Sequence, residues 1–192
     1  RRRHRHRNRT DLIFIGPKNT PGANWPLGQE GAGPLRPSKG ANMTVDYPTL
    51  AKTIAALTEG ESDTVALMAT VACEVHHSDD RFDWTGFYRV TEPELLKIGP
   101  YQGGHGCLQI PFSRGVCGAA ARTKEVQLVA DVDAFPGHIA CATSTLSELV
   151  LPVFNRLGEV IGVFDIDSNL SDAFTQQDAD ALTEILSSVF AR

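Results

Sequence analysis

Apolar residues recur at helical spacing near both ends of the region between residues 47 and 190. Residues 47–58 and 63–76 each place aliphatic side chains three and four positions apart, which predicts two consecutive helices. Residues 175–190 repeat the pattern, with Asp178 in the first turn, where a carboxylate is favourable. We therefore expect helices at both ends of this region.

Between the helical segments the pattern changes to short runs typical of β-strands. Residues 84–90 are rich in aromatic and β-branched side chains, and residues 94–98 are expected to pair with them across a turn. Two further apolar runs, 149–154 and 160–165, flank residues 155–158, whose Asn and Gly are typical of a hairpin turn. The middle of the chain thus predicts consecutive antiparallel strands.

The remaining segments are shorter. Residues 99–106 contain four glycines and one proline without periodicity, which predicts a loop. Residues 114–123 and 126–131 predict a short helix and a short strand. Together the segments indicate an α+β domain, in which one antiparallel sheet is covered by N- and C-terminal helices.

Charge divides the chain into two parts. Residues 1–42 carry nine Lys or Arg and two acidic residues, net +7, whereas residues 43–192 carry nine and 21, net −12. The first part also holds five of the 11 prolines and six of the 17 glycines. We therefore expect a disordered basic leader over residues 1–42 and a globular domain over residues 43–192. The acidic domain argues against nucleic-acid binding, and no apolar run approaches the roughly 18 residues of a membrane span.

The leader itself has four competing interpretations. Its arginine cluster, residues 1–9, could be a nuclear or nucleic-acid patch, and its early arginines fit an organellar transit peptide. A secretory signal fits poorly, because the apolar stretch 12–15 is only four residues long. The fourth interpretation is that residues 1–42 are not part of the native protein, with Met43 as its start. For the domain we expect a cytoplasmic location.

Three of the four cysteines are candidates for thiol chemistry. Cys73 lies on the apolar face of a predicted helix, where a thiol behaves as a small hydrophobe. Cys107 and Cys141 lie in predicted loops and Cys117 at a helix start, where backbone amides lower the pKa of a thiol. A nucleophilic cysteine with a resolving partner and unremarkable loop cysteines both remain open. So does zinc binding, for which the candidate ligands are His105, Cys107, His138 and Cys141.

Carboxylates form a second candidate cluster near the predicted hairpin. Glu148 precedes one strand, and Asp165 and Asp167 follow one another at intervals of two at the end of the next. The two aspartates therefore face the same side of the sheet, and their repulsion should raise the pKa of at least one. A raised pKa suits a general acid, whereas solvated acidic residues at a strand end are the alternative.

Five motifs, read in order, resemble the free methionine-(R)-sulfoxide reductases, a single-domain family with the GAF fold. They are DWTGFY (residues 83–88), GPYQG (99–103), IPFSRGVCG (110–118), FPGHIAC (135–141) and GVFDIDS (162–168). The three cysteines follow at spacings of 10 and 24 residues, and the resemblance covers about residues 45–190. Most GAF domains are binding modules that lack such cysteines.

The resemblance implies a role for each candidate residue. Cys141 matches the catalytic cysteine, Cys107 the cysteine that most often forms a disulfide with it, and Cys117 an auxiliary or second resolving thiol. Which of Cys107 and Cys117 resolves the intermediate stays open. The residues implied in substrate binding are Trp84, Tyr88, Glu148, Asp165 and Asp167. One departure is Ala142, where the family commonly has Asp directly after the catalytic cysteine.

The implied activity is thiol-dependent reduction of free L-methionine-(R)-sulfoxide through a cysteine sulfenic acid and an intramolecular disulfide. The implied partners are a thioredoxin-like reductant and a second copy of the chain, in a response to oxidative stress, with no metal or organic cofactor. The alternative is a non-catalytic GAF domain that binds a small ligand as a sensor.

Overall fold

A computed structural model describes residues 45–139 and 141–192 of the 192-residue chain. The expected leader, residues 1–42, lies outside the described residues, so the domain division stays a prediction. None of the helices in the described ranges is long and apolar enough to cross a membrane.

A six-stranded antiparallel sheet forms the centre of the fold, with strand order β3-β2-β1-β6-β5-β4. Its two central strands come from distant parts of the chain, and each is flanked by its own hairpin partner. The strands are β1 (Trp84–Glu92), β2 (Leu95–Gln102), β3 (Gln109–Pro111), β4 (Gln127–Val129), β5 (Ser147–Phe154) and β6 (Val160–Ser168).

Four α-helices cover this sheet, and side-chain caps fix where most of them begin. Asp46 and Asp63 accept hydrogen bonds from backbone amides of the first turns that follow them. The last helix begins with a reciprocal capping box between Thr175 and Asp178. The helices are α1 (Tyr47–Leu57), α2 (Thr64–His76), α3 (Gly115–Thr123) and α4 (Gln176–Phe190), with a 3₁₀ turn at Val132–Ala134.

The two faces of the sheet have different coverings. Alternation along β1 and β6 directs Phe87 and Phe164 to one face, where they pack with α1, α2 and α4 in the larger hydrophobic core. Tyr88 and Val163 belong to the opposite face, which packs against α3 and the loops around it. The second face therefore lies under the shorter helix and the irregular segments.

The expected α+β architecture is confirmed, and two local predictions are wrong. The strand β2 continues to Gln102, so residues 99–102 pair with β1 and are not part of a loop. The strand β6 continues to Ser168, so Asp165 and Asp167 lie within the strand and not at its end. In both cases cross-strand pairing with β1 extends the strand through residues whose types favour turns.

Candidate active site

Three neighbouring strands bring polar side chains together on the face of the sheet that packs against α3. Trp84 of β1 pairs with Asp167 of β6, which pairs on its other side with Glu148 of β5. One step further along the same face, Gly86 pairs with Asp165. Since these positions share one side of the pleat, the three acidic side chains meet in one place.

The side chains of Glu148, Asp165 and Asp167, here called the carboxylate cluster, are buried. As whole residues, Glu148, Asp165 and Asp167 are 8%, 6% and 9% exposed, and their nearest oxygens lie within 4.8 Å of one another. Oδ1 of Asp165 and Oδ1 of Asp167 have no hydrogen-bond partner among the described residues. The interpretation of these residues as a solvated strand end is therefore wrong.

Burial makes the charged forms of the carboxylate cluster costly, and this cost shifts all three pKa values upward. Burial, reinforced by the charge of Asp167, raises the pKa of Glu148 to about 8. Burial also raises the pKa of Asp167 to about 7, and the pKa of Asp165 lies well above its ordinary range. The expected direction is confirmed, although burial contributes more than the repulsion that the sequence indicated. At neutral pH the cluster holds protons.

The carboxylate cluster is also the set of acidic, His and Cys side chains, within the described ranges, whose spacing would suit a metal ion. A cation there would have to displace the protons that burial favours. The zinc set considered from the sequence is different: two of its four members, Cys107 and Cys141, are bonded to each other.

Cys117 lies in the first turn of α3 and is directed at the cluster. Its thiol donates a hydrogen bond to Oδ2 of Asp165 at a distance of 3.2 Å. Burial, reinforced by the charge of Asp165, raises the pKa of Cys117 well above its ordinary value. The expectation that the helix N-terminus activates this thiol is therefore wrong, because burial among carboxylates outweighs the backbone amides.

A disulfide joins Cys107, just before β3, to Cys141. The two residues are 34 positions apart in sequence, and their Cα atoms lie 5.2 Å apart. Cys141 lines the same pocket as Cys117 and the carboxylate cluster, while Cys107 approaches it beside the lining residue Gly106. Two of the three predicted redox cysteines are thus a bonded pair at the edge of one pocket.

Aromatic rings form a further part of the pocket wall, on the same face of the sheet as the carboxylate cluster. The ring centroids of Trp84 and Tyr88 are 5.7 Å apart in a stacked arrangement, and Trp84 also stacks on Tyr101 at 5.3 Å. The indole Nε1 of Trp84 donates to the carbonyl oxygen of Gly104 at 3.1 Å, which fixes the ring. An apolar aromatic surface therefore lies beside the buried carboxylates.

The segment between β4 and β5, here called the Cys141 loop and described over residues 130–139 and 141–146, brings further side chains to the pocket. His138 Nε2 lies 3.4 Å from Oε1 of Glu148. Ile139 packs against the start of α3, where its side chain would meet a Cβ placed on Gly115. The sequence indicated His138 only as a zinc ligand, and its contact with Glu148 depends on a loop path that no periodic pattern predicts.

The structure brings all eight predicted site residues together. Seven of them line the pocket, and the eighth, Cys107, is bonded to a lining residue. The lining residues among them are Trp84, Tyr88, Cys117, Cys141, Glu148, Asp165 and Asp167. Such a pocket offers a thiol, proton-bearing acids and an aromatic wall within reach of one small molecule.

Comparison with known proteins agrees with this geometry. Residues 58–189 match the GAF domain family. The chain is 43% identical to Protein YtsP of Bacillus subtilis over 141 residues, which cover 72% of this chain and 85% of that protein. It is 38% identical over 145 residues to the free methionine-R-sulfoxide reductase of Escherichia coli, covering 76% and 87%.

The fold is also similar to that of a solved structure. This structure is the free methionine-R-sulfoxide reductase from Neisseria meningitidis in complex with its substrate, 39% identical, with a TM-score of 0.70. The likeness covers 74% of this chain and 85% of that one. The chain therefore belongs to the GAF domain family and, within it, to the free methionine-(R)-sulfoxide reductases, a group of oxidoreductases.

Proposed function

We propose that this chain reduces free L-methionine-(R)-sulfoxide to methionine, with Cys141 as the nucleophile. The observation that carries the proposal is the Cys107–Cys141 disulfide beside a pocket with three buried carboxyl groups whose pKa values are raised. A sulfoxide sulfur is weakly electrophilic, and its oxygen leaves only when protonated. Reduction therefore needs a thiolate and an acid side by side, which is the pair that this pocket offers.

Two thiols supply the two electrons that the reduction of the sulfoxide requires. The Cys141 thiolate attacks the sulfoxide sulfur, a carboxyl group of the cluster protonates the oxygen, and the oxygen passes to Cys141 as a sulfenic acid while methionine leaves. The Cys107 thiol then loses its proton and attacks the Cys141 sulfur, the S–O bond breaks, and the hydroxide takes up that proton and leaves as water while the disulfide forms. The described pair corresponds to this oxidised state.

A free amino acid fits the pocket better than a residue within a peptide. Its ammonium group would lie among Glu148, Asp165 and Asp167, two of which carry the unpartnered buried oxygens. Because burial raises the pKa of Asp167 to about 7, an ammonium group can displace its proton near neutral pH. A peptide nitrogen carries no such charge, and we expect peptide-bound methionine sulfoxide to be a poor substrate.

The aromatic wall supplies a surface for the methyl group next to the sulfoxide. Trp84 and Tyr88 stack, and the hydrogen bond of the indole to Gly104 limits rotation of the ring. Such a fixed surface favours one arrangement of methyl and oxygen about the sulfur, which supports discrimination between the two epimers. Ala142 also lines the pocket, and an alanine there provides no charge for the substrate.

We assign the resolving role to Cys107 and not to Cys117. Burial raises the pKa of Cys117, so its thiolate is scarce, and its hydrogen bond holds it to Asp165. For recycling, an external dithiol such as thioredoxin attacks the disulfide and restores both thiols. We further propose that the protein is cytoplasmic and that it forms a homodimer. Light scattering of the purified protein would test the dimer.

The deciding experiment is a coupled assay of NADPH oxidation with thioredoxin and thioredoxin reductase. We expect turnover of free L-methionine-(R)-sulfoxide and little turnover of the S epimer or of a blocked N-acetyl derivative. The alternative is a sensor domain that binds the ligand without reducing it. Calorimetric binding of the R epimer without any NADPH oxidation would support that alternative and contradict the proposal.

Replacing the nucleophile gives the first specific prediction. In Cys141→Ser the reductase rate should fall by about a thousandfold or more, because a serine hydroxyl is not ionised at neutral pH. The rate is measured in the same coupled assay. The matched control is Cys73→Ser, since Cys73 lies on α2 outside the pocket lining. Activity that persists in Cys141→Ser would make the assignment of the nucleophile wrong.

A further inference from the structure

The Cys141 loop is held by backbone hydrogen bonds near its two ends, by the packing of Val132 and Phe135, and by four further fixed points closer to Cys141. One is the backbone bond from the amide of Gly115 to the carbonyl of Gly137, at 3.0 Å. A second is the packing of Ile139 against Gly115, and a third is the contact of His138 with Glu148. The fourth is the disulfide from Cys141 to Cys107.

The proposed reaction opens the disulfide before Cys141 attacks, which is the step at which the position of its sulfur matters most. Cys141 attacks only as a free thiolate, and in that state no covalent bond holds the loop. The bond and packing at Gly115 fix the loop to α3 and leave its distance from the carboxylates to be set by other contacts. The His138–Glu148 contact joins the loop directly to the carboxylate cluster on β5.

The surroundings of this contact favour a firm attachment. The side chains of His138 and Glu148 are only 14% and 10% exposed, so water competes weakly for either group. Nε2 of His138 lies 3.4 Å from Oε1 of Glu148, within ion-pair distance, so a proton on Nε2 attracts this carboxyl oxygen. Glu148 in turn lies opposite Asp167, with carboxyl oxygens within 4.8 Å of each other, so the loop is linked through Glu148 to β6.

We propose that His138 is a positioning residue that holds the reduced Cys141 loop against the carboxylate cluster through Glu148. The inference rests on the proposed reductase function and deepens it. His138 acts through Glu148, and its contact orients both the acid and the segment that carries the nucleophile. Without it, the attacking sulfur and the proton donor are no longer held at a fixed separation.

Several titratable groups face Glu148 and enter any pH dependence. Asp165 and Asp167 approach it from β6, and Cys117 approaches from α3. His138 is the group that faces it from the loop. A donor on Glu148 favours the ionised carboxylate, so loss of the donor should keep Glu148 protonated to higher pH.

The test compares two replacements of His138 that separate polarity from packing. His138→Leu keeps a side chain of similar size but removes the donor. His138→Gln keeps a donor that can reach Glu148. We expect kcat/KM for the R epimer to fall by about tenfold or more in His138→Leu and to return to within about threefold of wild type in His138→Gln. The basic limb of the kcat/KM profile should move up by at least about half a pH unit in His138→Leu.

The double variant His138→Leu with Glu148→Gln tests whether the effect passes through Glu148. The loss from His138→Leu should largely disappear in the Glu148→Gln background. The matched control is His77→Ala, an exposed histidine at the end of α2. Equal losses in the Leu and Gln variants, additive losses in the double variant, or a wild-type rate in His138→Leu would each overturn the proposal.

A second readout does not depend on turnover. The rate at which iodoacetamide alkylates Cys141 in the reduced protein is followed by peptide mass spectrometry. We expect this rate to change by at least about threefold in His138→Leu and to stay at the wild-type value in His138→Gln. If wild type fails to reduce the R epimer, the proposed function fails, whereas an alkylation rate equal in all three proteins contradicts the role of His138.

Discussion

Gly86 sets how closely the aromatic rings of the pocket can stack. A Cβ at this position would overlap Cβ of Tyr101 and would lie 2.7 Å from Cη2 of Trp84. Because real Cβ atoms do not approach neighbours so closely, any larger residue must displace both Tyr101 and the ring of Trp84. The glycine of the DWTGFY motif therefore has a steric reason to be in the middle of a strand.

We predict that Gly86→Ala lowers the free energy of unfolding by about 1 to 3 kcal/mol, because the methyl group overpacks the site. It should also raise KM for the sulfoxide, since Trp84 is displaced from the pocket wall. Urea unfolding and the coupled assay measure the two effects. Gly104→Ala is the control, because a Cβ there meets no atom within 4 Å. Equal stability of the two variants would contradict the steric argument.

At the scale of elements, a hydrogen bond ties the first helix to the last. The hydroxyl of Tyr47, at the start of α1, donates to Oδ1 of Asp178 in α4 at 2.6 Å. Asp178 also caps its own helix and accepts from Arg81 at 3.3 Å. The carboxylate of one residue thus connects both terminal helices and the segment before β1.

We predict that Tyr47→Phe lowers the free energy of unfolding by about 1 to 3 kcal/mol. The change removes a donor from a charged, largely buried acceptor and leaves the aromatic ring in place. Thermal and urea unfolding measure the loss, and reductase activity should be unaffected because both residues lie outside the pocket lining. The control is Tyr101→Phe, whose ring is 39% exposed. A Tyr47→Phe protein as stable as wild type would show that the bond contributes nothing.

Helices and strands were predictable from sequence where the hydrophobic pattern is long. They were missed where pairing with a neighbouring strand determines the secondary structure. The helices at both ends follow from helical periodicity, and the β5–β6 hairpin follows from the turn residues between its strands. The strand β3 has three residues, too few for a period, and exists because it pairs with β2. The end of β2 contains Gly99 and Pro100, which favour a turn when read alone.

The residues of the site were predictable from the sequence, but the position of Glu148 opposite Asp167 was not. Period-two alternation puts Asp165 and Asp167 on one face, whereas the position of Glu148 depends on strand register. Near the turn, Phe154 pairs with Val160, and the next pair is Val153 with Gly162, so one residue of β6 is passed over. This bulge brings Glu148 opposite Asp167, and without it Glu148 would face Ile166. Sequence patterns do not show such a bulge.

At the scale of the whole molecule, the carboxylate cluster links stability to pH. A carboxyl group whose pKa is raised in the folded state holds a proton that the unfolded chain releases near pH 4. Its contribution to stability is complete below about pH 4 and is lost as pH rises through the folded-state values, about 7 for Asp167 and about 8 for Glu148. Asp178, whose pKa is lowered, acts in the opposite direction and only at more acidic pH.

We predict that the free energy of unfolding of the wild-type protein falls between pH 5 and pH 8. Asp167→Asn should reduce that slope, because it removes one proton-linked group worth up to about 1.4 kcal/mol per pH unit. Urea unfolding at several pH values measures the slope, and activity should fall as substrate binding weakens. Asp180→Asn, on the exposed side of α4, is the control. A slope unchanged by Asp167→Asn would contradict the raised pKa.

In the proposed mechanism, each catalytic cycle also closes and opens a covalent ring in the chain. The two bonded cysteines are 34 positions apart, so each oxidation closes a large covalent ring and each reduction opens it. Restricting the unfolded chain in this way is worth about 3 to 4 kcal/mol. The oxidised protein should therefore melt at higher temperature than the reduced protein, a difference that Cys107→Ser should abolish. Under the proposed mechanism, scarcity of reductant would therefore leave the protein in its more stable, disulfide-bonded form.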